Sequence, residues 1–345
     1  MKLLECTLRD GSYAIDFQFT AKFTGDFCRI LESAKFELIE IGHGVGIGAD
    51  KKFKPAAATD IEYGRAASKV LKRAKWGMFA QPSISSLDEI EDLTNIGMGF
   101  IRIGIDLDDL EIGLDLAKKC SDLGLKVYIN LMKSYKNNFD QMLPKLETVK
   151  KCDWLEGFYL VDSAGGMMMN EVEKFSKNLS SFFSNEIKLG FHGHDNLGLA
   201  IPNSLIAVDN GFELIDCTMQ GMGRSAGNTN AERLVTILEK EQIKIDIDPV
   251  EVMKLSEEYI RPKLPKAGHA GLDTMAGFTL FHTAYMDELI KISKTYKVDP
   301  YKLMEKIGSN SIFACNLDGI IQNLIEDGEL LNTNLPIDLY VGNEQ

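Results

Sequence analysis

Residues 126–131 read KVYINL, residues 157–161 GFYLV and residues 188–191 KLGF: three short β-rich apolar runs with longer amphipathic stretches between them. Each has the length of a buried parallel strand. The same alternation continues outward in both directions. Toward the start lie Leu3–Thr7 (LLECT), Leu38–Ile41 (LIEI), Lys75–Ala80 (KWGMFA) and Phe100–Ile103 (FIRI); toward the end lies Leu214–Thr218 (LIDCT). Leu87–Ile96, Leu110–Leu123 and Asn170–Phe182 are helix-like, and Asp88-Glu89 and Asp108-Asp109 place acid near helix starts, where the dipole favours it. Eight strand–helix units spaced by about 25–35 residues predict an α/β chain folded as a (β/α)8 TIM barrel over residues 1–245. The rival, a doubly wound open sheet, would carry a glycine-rich turn after its first strand, and here that turn reads RDGS. Past Asp246–Asp248–Pro249 the alternation stops. Val250–Tyr259, Phe278–Tyr296, Pro300–Ile307 and Ile320–Asp327 read as helices, so residues 246–345 are expected to form a helical C-terminal extension packed on or beside the barrel.

Composition bounds the function. The chain has 345 residues, 45% of them hydrophobic and 26% charged, which is ordinary globular composition. A net charge of −13 argues against a general nucleic-acid binder, which needs a basic face. No run is long and apolar enough for a membrane span, and the opening MKLLECTLRDGS lacks the apolar region of a signal peptide. The six cysteines form no CxxC pair, so reduced thiols in a cytoplasmic protein are expected.

A barrel enzyme carries its chemistry at the C-terminal ends of its strands. Just past each expected strand stand Arg9-Asp10, Glu40 with His43, Gln81, Asp106, Asn130 with Lys133, Asp162-Ser163, His192-Gly193-His194 and the loop GMGRSAGN, residues 221–228. Residues two apart on a strand point the same way, so His192 and His194 can both face inward. A closed barrel sets strands seven, eight and one side by side, which brings Asp10 toward the pair with Asn228 between them. Two imidazoles, a carboxylate and an amide oxygen suit a divalent metal that keeps positions open for substrate. The alternative is a pair of histidines merely hydrogen-bonded at a strand end. The glycine loop lacks the Lys-Ser/Thr of a P-loop and reads as a tight turn with close backbone approach rather than a phosphate cradle.

These residues resemble a known family. TLRDG after the first strand, HGHDNLGLA after the seventh and GxGRxAGN after the eighth are similar to the metal-dependent lyase and synthase superfamily that includes 3-hydroxy-3-methylglutaryl-CoA lyase, isopropylmalate synthase and 4-hydroxy-2-oxovalerate aldolase. The likeness is strongest to the aldolases: RDGSYAIDFQFT, LIEIGHGVG, DIEYG, YLVDSAGGMMMNEV and HDNLGLAIPNSLIAVDNGF follow in order, and IRPKL extends it past residue 260. The resemblance implies a divalent metal, Mn2+ or Mg2+ with Co2+ or Zn2+ as alternatives, held by Asp10, His192 and His194, with Asn228 as a further ligand. It implies a 2-oxo acid substrate, Arg9 against the keto oxygen of a pyruvate-type enolate, and Ser163 on the substrate carboxylate. Gln18 joins Arg9 and Ser163 as a candidate substrate contact. The reaction implied is aldol-type cleavage or formation of a 4-hydroxy-2-oxo acid.

Two positions depart from that pattern. The family's first loop reads RDGSH, with a histidine as base, and here Tyr13 stands in its place. A phenol ordinarily titrates near pH 10, well above the working range of a general base. The family's lid tyrosines correspond to Met275 and Thr279 in GLDTMAGFTLFHTAY. Tyr13 or His43 is therefore expected to move the proton, on a different aldehyde. A Claisen-type synthase, a decarboxylase and a non-catalytic metal-binding subunit stay open as alternatives. His269 and His282 in the tail read as structural. In the aldolase family the extension contacts an acylating aldehyde dehydrogenase, so the resemblance implies that partner or self-association as a homo-oligomer.

Overall fold

The computed structural model contains eight parallel strands in one closed barrel, with neighbours paired in chain order. It describes every residue except 185, 225, 265–270, 273–274, 276–278, 280, 282–285, 309–311, 313–314 and 336–345. His269, His282 and part of the expected 278–296 helix lie outside the described residues. The strands are β1 (Lys2–Glu5), β2 (Leu38–Glu40), β3 (Lys75–Ala80), β4 (Phe100–Ile105), β5 (Lys126–Leu131), β6 (Gly157–Asp162), β7 (Lys188–Gly193) and β8 (Leu214–Cys217). Leu4 of β1 lies opposite Leu38 of β2 and Asp216 of β8, which closes the sheet.

Two strand ends differ from the sequence reading in ways that shape the site. β7 runs on to Gly193, paired with Asp162, so His192 sits inside the strand rather than beyond it. β1 stops early because the N–H groups of Arg9, Asp10 and Gly11 all donate to the Cys6 carbonyl, turning the chain over the barrel mouth.

The intervening helices are α1 (Ala21–Ser33), α2 (Asp60–Val70), α3 (Leu87–Asn95), α4 (Leu110–Asp122), α5 (Phe139–Lys150), α6 (Met169–Phe183), α7 (Ala200–Asp209) and α8 (Ala231–Lys240). Three of them begin with a reciprocal cap, in which Thr59 pairs with Glu62, Ser86 with Glu89, and Asn138 with Gln141. Each such cap satisfies backbone donors that a helix start leaves unpaired.

The chain divides into two compact units, residues 1–234 and 235–345. The second unit is helical: α9 (Pro249–Leu255), α10 (Met286–Tyr296), α11 (Pro300–Ile307) and α12 (Leu317–Glu326) surround buried Met253, Leu272, Met275, Leu289, Tyr301 and Met304. Asp248 and Asp299 each cap a helix whose first residue is proline, the arrangement in which the missing proline N–H costs nothing. Thr279 donates to the Met275 carbonyl at 2.9 Å. Among the described residues no helix is long and apolar enough to cross a membrane.

The barrel bore is layered. Leu4, Leu38, Phe100, Tyr128, Tyr159 and Leu214 fill its lower part. Two residues further along the same strands stand Cys6, Glu40, Arg102, Asn130, Val161 and Asp216, since side chains alternate with period two. An apolar plug therefore supports a layer rich in charge. Gly104 shows how tightly it fits: a Cβ there would lie 2.1 Å from the Phe79 ring, so only glycine admits that ring.

One buried acid outside the bore has a testable consequence. Glu5 has no exposed surface and accepts the Thr7 N–H at 3.2 Å. Burial, against the Thr7 hydrogen bonds, pushes its pKa up to about 8. The folded chain keeps a proton that the unfolded chain releases near pH 4.5, so the associated stability is complete below that value and is lost as pH rises to about 8. Glu5→Gln, permanently neutral, should gain on the wild type by about 1.4 kcal/mol per pH unit across this window, reaching roughly 5 kcal/mol at most. Urea unfolding at pH 5, 7 and 9 reads the difference; parallel wild-type and variant curves would refute the assignment.

Candidate active site

The turn after β1 lifts Arg9 and Asp10 onto the mouth of the barrel, and both are buried there. Arg9 lies over the Phe79 ring with its guanidinium carbon 4.8 Å from the centroid. Its Nε donates to Glu40 at 2.6 Å and its Nη1 to Asp10 at 2.6 Å. Nη2 has no hydrogen-bond partner among the described residues. One face of a guanidinium that is otherwise fully held is thus left to meet a ligand.

His192 and His194 come up from β7 beside Asp10, and one ligand atom from each of the three residues lies within 4.8 Å of the others. Both rings are oriented from behind. His192 Nδ1 is 2.7 Å from the Asp216 carboxylate, which leaves Nε2 3.7 Å from Asp10. His194 Nδ1 is 3.2 Å from the Gly227 carbonyl, which leaves its own Nε2 free of that contact. Gly227 has φ +97°, and a Cβ there would fall 2.0 Å from the Gly221 carbonyl oxygen. The glycine loop is therefore a turn that aims a carbonyl at His194, as its reading as a close-approach turn anticipated.

The donor set fits a divalent metal. It comprises one carboxylate and two imidazoles, each imidazole steered through its far nitrogen, as metal-ligating histidines usually are. A further sign comes from Asn228, which is buried, bridges to His194 through the backbone, and has an Oδ1 without a hydrogen-bond partner. A buried amide oxygen rarely stays unpaired without a reason.

The charge states agree. Burial opposes the Asp10 charge, but Arg9 first and the imidazoles second hold its carboxyl well below the usual range. Burial lowers the His194 pKa, against the pull of Asp10, which keeps the ring neutral and able to donate a lone pair. Burial opposes ionisation of Glu40 too, yet Arg102 and Arg9 bring its pKa down to about 2.

A cavity of about 220 Å3 opens over this cluster, bounded also by Tyr13, Gln81, Asn130, Lys133, Ser163 and Arg224. Ser163 Oγ accepts the Lys133 N–H at 2.9 Å, so its hydroxyl proton remains for another acceptor. Lys133 Nζ pairs with Asp106 at 2.6 Å. A neighbouring cavity of about 350 Å3 shares Gln81, Met132 and Lys133 with the first.

The structure does not bring His43 or Gln18 to this cavity. His43 stacks on Phe17, its Nδ1 accepts the Val45 N–H at 3.1 Å, and its Nε2 lies 3.0 Å from the Lys54 carbonyl. Both of its nitrogens are thus engaged by backbone groups away from the cavity. Gln18 is exposed and donates to the Asp16 carbonyl. Tyr13 does line the cavity, with the Arg224 guanidinium 5.8 Å from its ring centre. Burial, then Asp10, raises its pKa further.

The sequence reading missed three contributors. Arg102 and Asp216 hide inside runs read as plain strands, although their inward register with Phe100 and Leu214 flags them. Arg224 stood in the quoted loop without a role.

The chain is similar to known proteins in sequence and in fold. A family model described as HMGL-like matches residues 1–258. The 4-hydroxy-2-oxovalerate aldolase of Carboxydothermus hydrogenoformans is 29% identical over 315 residues, covering 89% of this chain and 91% of its own. An oxaloacetate decarboxylase of Mycobacterium tuberculosis is 34% identical over 238 residues, covering 69% of this chain and 70% of its own. Among solved structures, the Bacillus subtilis HMG-CoA lyase superposes with a TM-score of 0.63 at 17% identity, over 78% of this chain and 95% of that one.

Proposed function

Because the chain belongs to the HMGL-like family and is a metal-dependent carbon–carbon lyase, we propose that it cleaves or forms a 4-hydroxy-2-oxo acid through a pyruvate-type enolate. The observation that carries this reading is the juxtaposition of Asp10, His192 and His194 with the open Nη2 of Arg9 on one buried cavity wall.

A divalent cation held by Asp10, His192 and His194, with the Asn228 amide oxygen at hand, supplies Lewis-acid polarisation of the substrate's keto group. Arg9 places its free Nη2 toward that oxygen, where negative charge grows as the C3–C4 bond breaks. A donor fixed in advance stabilises such charge without reorganising. Ser163 offers its hydroxyl proton to the substrate carboxylate. Tyr13 gives its proton to the aldehyde oxygen in the condensation direction, where its raised pKa suits a group that is protonated at rest, and in cleavage it must first lose that proton to take the one on the C4 hydroxyl.

A second reading, loss of a carboxylate from an oxaloacetate-type acid, is favoured by the Mycobacterium tuberculosis relative and by Tyr13 itself. Decarboxylation needs no base on a hydroxyl, and a protonated phenol is placed to return a proton to the enolate carbon.

Proton exchange at the pyruvate methyl group, followed by NMR in D2O with Mg2+, tests the enolate. Exchange that EDTA abolishes is the expected result. Pyruvate release from 4-hydroxy-2-oxo acids against release from oxaloacetate then separates the two readings. Tyr13→Phe should slow the favoured reaction by ~10²–10⁴-fold, the range for removing a general acid–base group. Bound metal with neither exchange nor pyruvate release sinks both readings.

A further inference from the structure

Arg102 of β4 has no exposed surface and does not reach the cavity, yet it is wired to both halves of the site. Its Nε donates to Glu40 Oε1 at 2.7 Å and its Nη2 to Glu40 Oε2 at 2.6 Å. Its Nη1 donates to Asp216 Oδ2. Glu40 Oε2 in turn accepts Arg9 Nε, and Asp216 Oδ2 contacts His192 Nδ1. Arg9, Glu40, Arg102, Asp216 and His192 therefore form one chain of charge-assisted contacts, and both its ends reach Asp10.

We propose that Arg102 is a positioning residue: through Asp216 it fixes the ring of the metal ligand His192, and through Glu40 it fixes the guanidinium of Arg9. The inference rests on the metal-site reading given above.

The physical case is one of alternatives. Glu40 and Asp216 are buried carboxylates, each shared between Arg102 and a group of the site. A carboxylate that loses its buried cation must find another partner or take up a proton. Among the described residues Arg102 is the one arginine or lysine in contact with Asp216, so without it the carboxylate that steers His192 loses the partner that fixes its own place. A point-charge lysine cannot replace the fork, which spans two carboxylates from two strands at once. The Tyr159 ring, 5.0 Å from the guanidinium carbon, fixes the plane of that fork from below.

Binding of Mn2+ by electron paramagnetic resonance titration, with circular dichroism and thermal melts as controls, tests this on Arg102→Lys, Asp216→Asn and the double variant. Arg102→Lys and Asp216→Asn should each weaken Mn2+ binding by ~10–100-fold, the usual cost of losing an outer partner of a metal ligand. The double variant should be little worse than either, because the two act in series. kcat should fall in Arg102→Lys with a smaller change in KM. A role in folding alone would lower the melting temperature and leave Mn2+ affinity untouched, and that result overturns the proposal. If Arg102→Lys fails to fold, Asp216→Asn decides: a folded variant with wild-type Mn2+ affinity also overturns it. Failure of the wild type to bind Mn2+ would instead defeat the metal-site reading on which the proposal stands.

Discussion

Asp10→Asn should abolish specific divalent-metal binding and cut turnover by ~10³-fold or more, with the barrel intact. The carboxylate is the only anionic side chain among the three clustered donors, so the variant leaves two imidazoles and an amide for a dication. Replacing even an outer partner of a ligand typically costs ~10–100-fold in affinity, and a directly ligating charge should cost more. Lewis-acid polarisation is worth several kcal/mol of barrier, and each ~1.4 kcal/mol is tenfold in rate. The fold should tolerate the change. Asn keeps the size of the side chain, and Arg9, losing Asp10, still holds Glu40 at 2.6 Å. The decisive measurement is the melting temperature with and without Mn2+. A bound ligand at a hundred times its Kd stabilises by about 2.7 kcal/mol, so the wild type should shift upward and the variant should not. An equal Mn2+-induced shift in both proteins would move the metal site away from Asp10.

Such a result would rest on residues that were largely legible before the fold was known. The His-Gly-His step at the end of a strand, and an acid two strands away around the barrel, follow from period-two alternation and barrel closure alone. The buried support behind them was not legible. Arg102 sits in FIRI and Asp216 in LIDCT, where an apolar run conceals a single charge that only pairing across the bore explains. A buried arginine is affordable there because Glu40 and Asp216 meet it from two other strands, and no local pattern announces that meeting. His43 shows the complementary case. A histidine beside a glycine after a strand looks catalytic in sequence, whereas the backbone of Val45 and Lys54 already occupies both nitrogens. The early end of β1 was equally invisible, since it depends on one carbonyl, that of Cys6, receiving three successive N–H groups.

Arg9→Gln should separate chemistry from metal binding, lowering kcat by ~10²–10³-fold while Mn2+ affinity holds or rises. The sign on affinity follows from the geometry. Arg9 Nη1 occupies the same Asp10 oxygen, Oδ2, that lies 3.7 Å from His192 Nε2, so the guanidinium competes for a carboxylate the metal would use. Removing it leaves that oxygen more basic. The sign on rate follows from Nη2, which has no partner among the described residues and meets an oxygen only as that oxygen gains charge. Interactions made in the transition state and not before it appear in kcat rather than KM. Arg9→Lys should recover little, because a compact ammonium lacks the planar fork that spans Glu40 and Asp10 on two nitrogens while a third faces the cavity. Metal affinity and steady-state rates measured on both variants give the answer together. If Arg9→Gln loses metal in step with activity, the guanidinium is a scaffold for Asp10. If it keeps metal and loses rate, Arg9 is the group that carries the negative charge of the breaking bond.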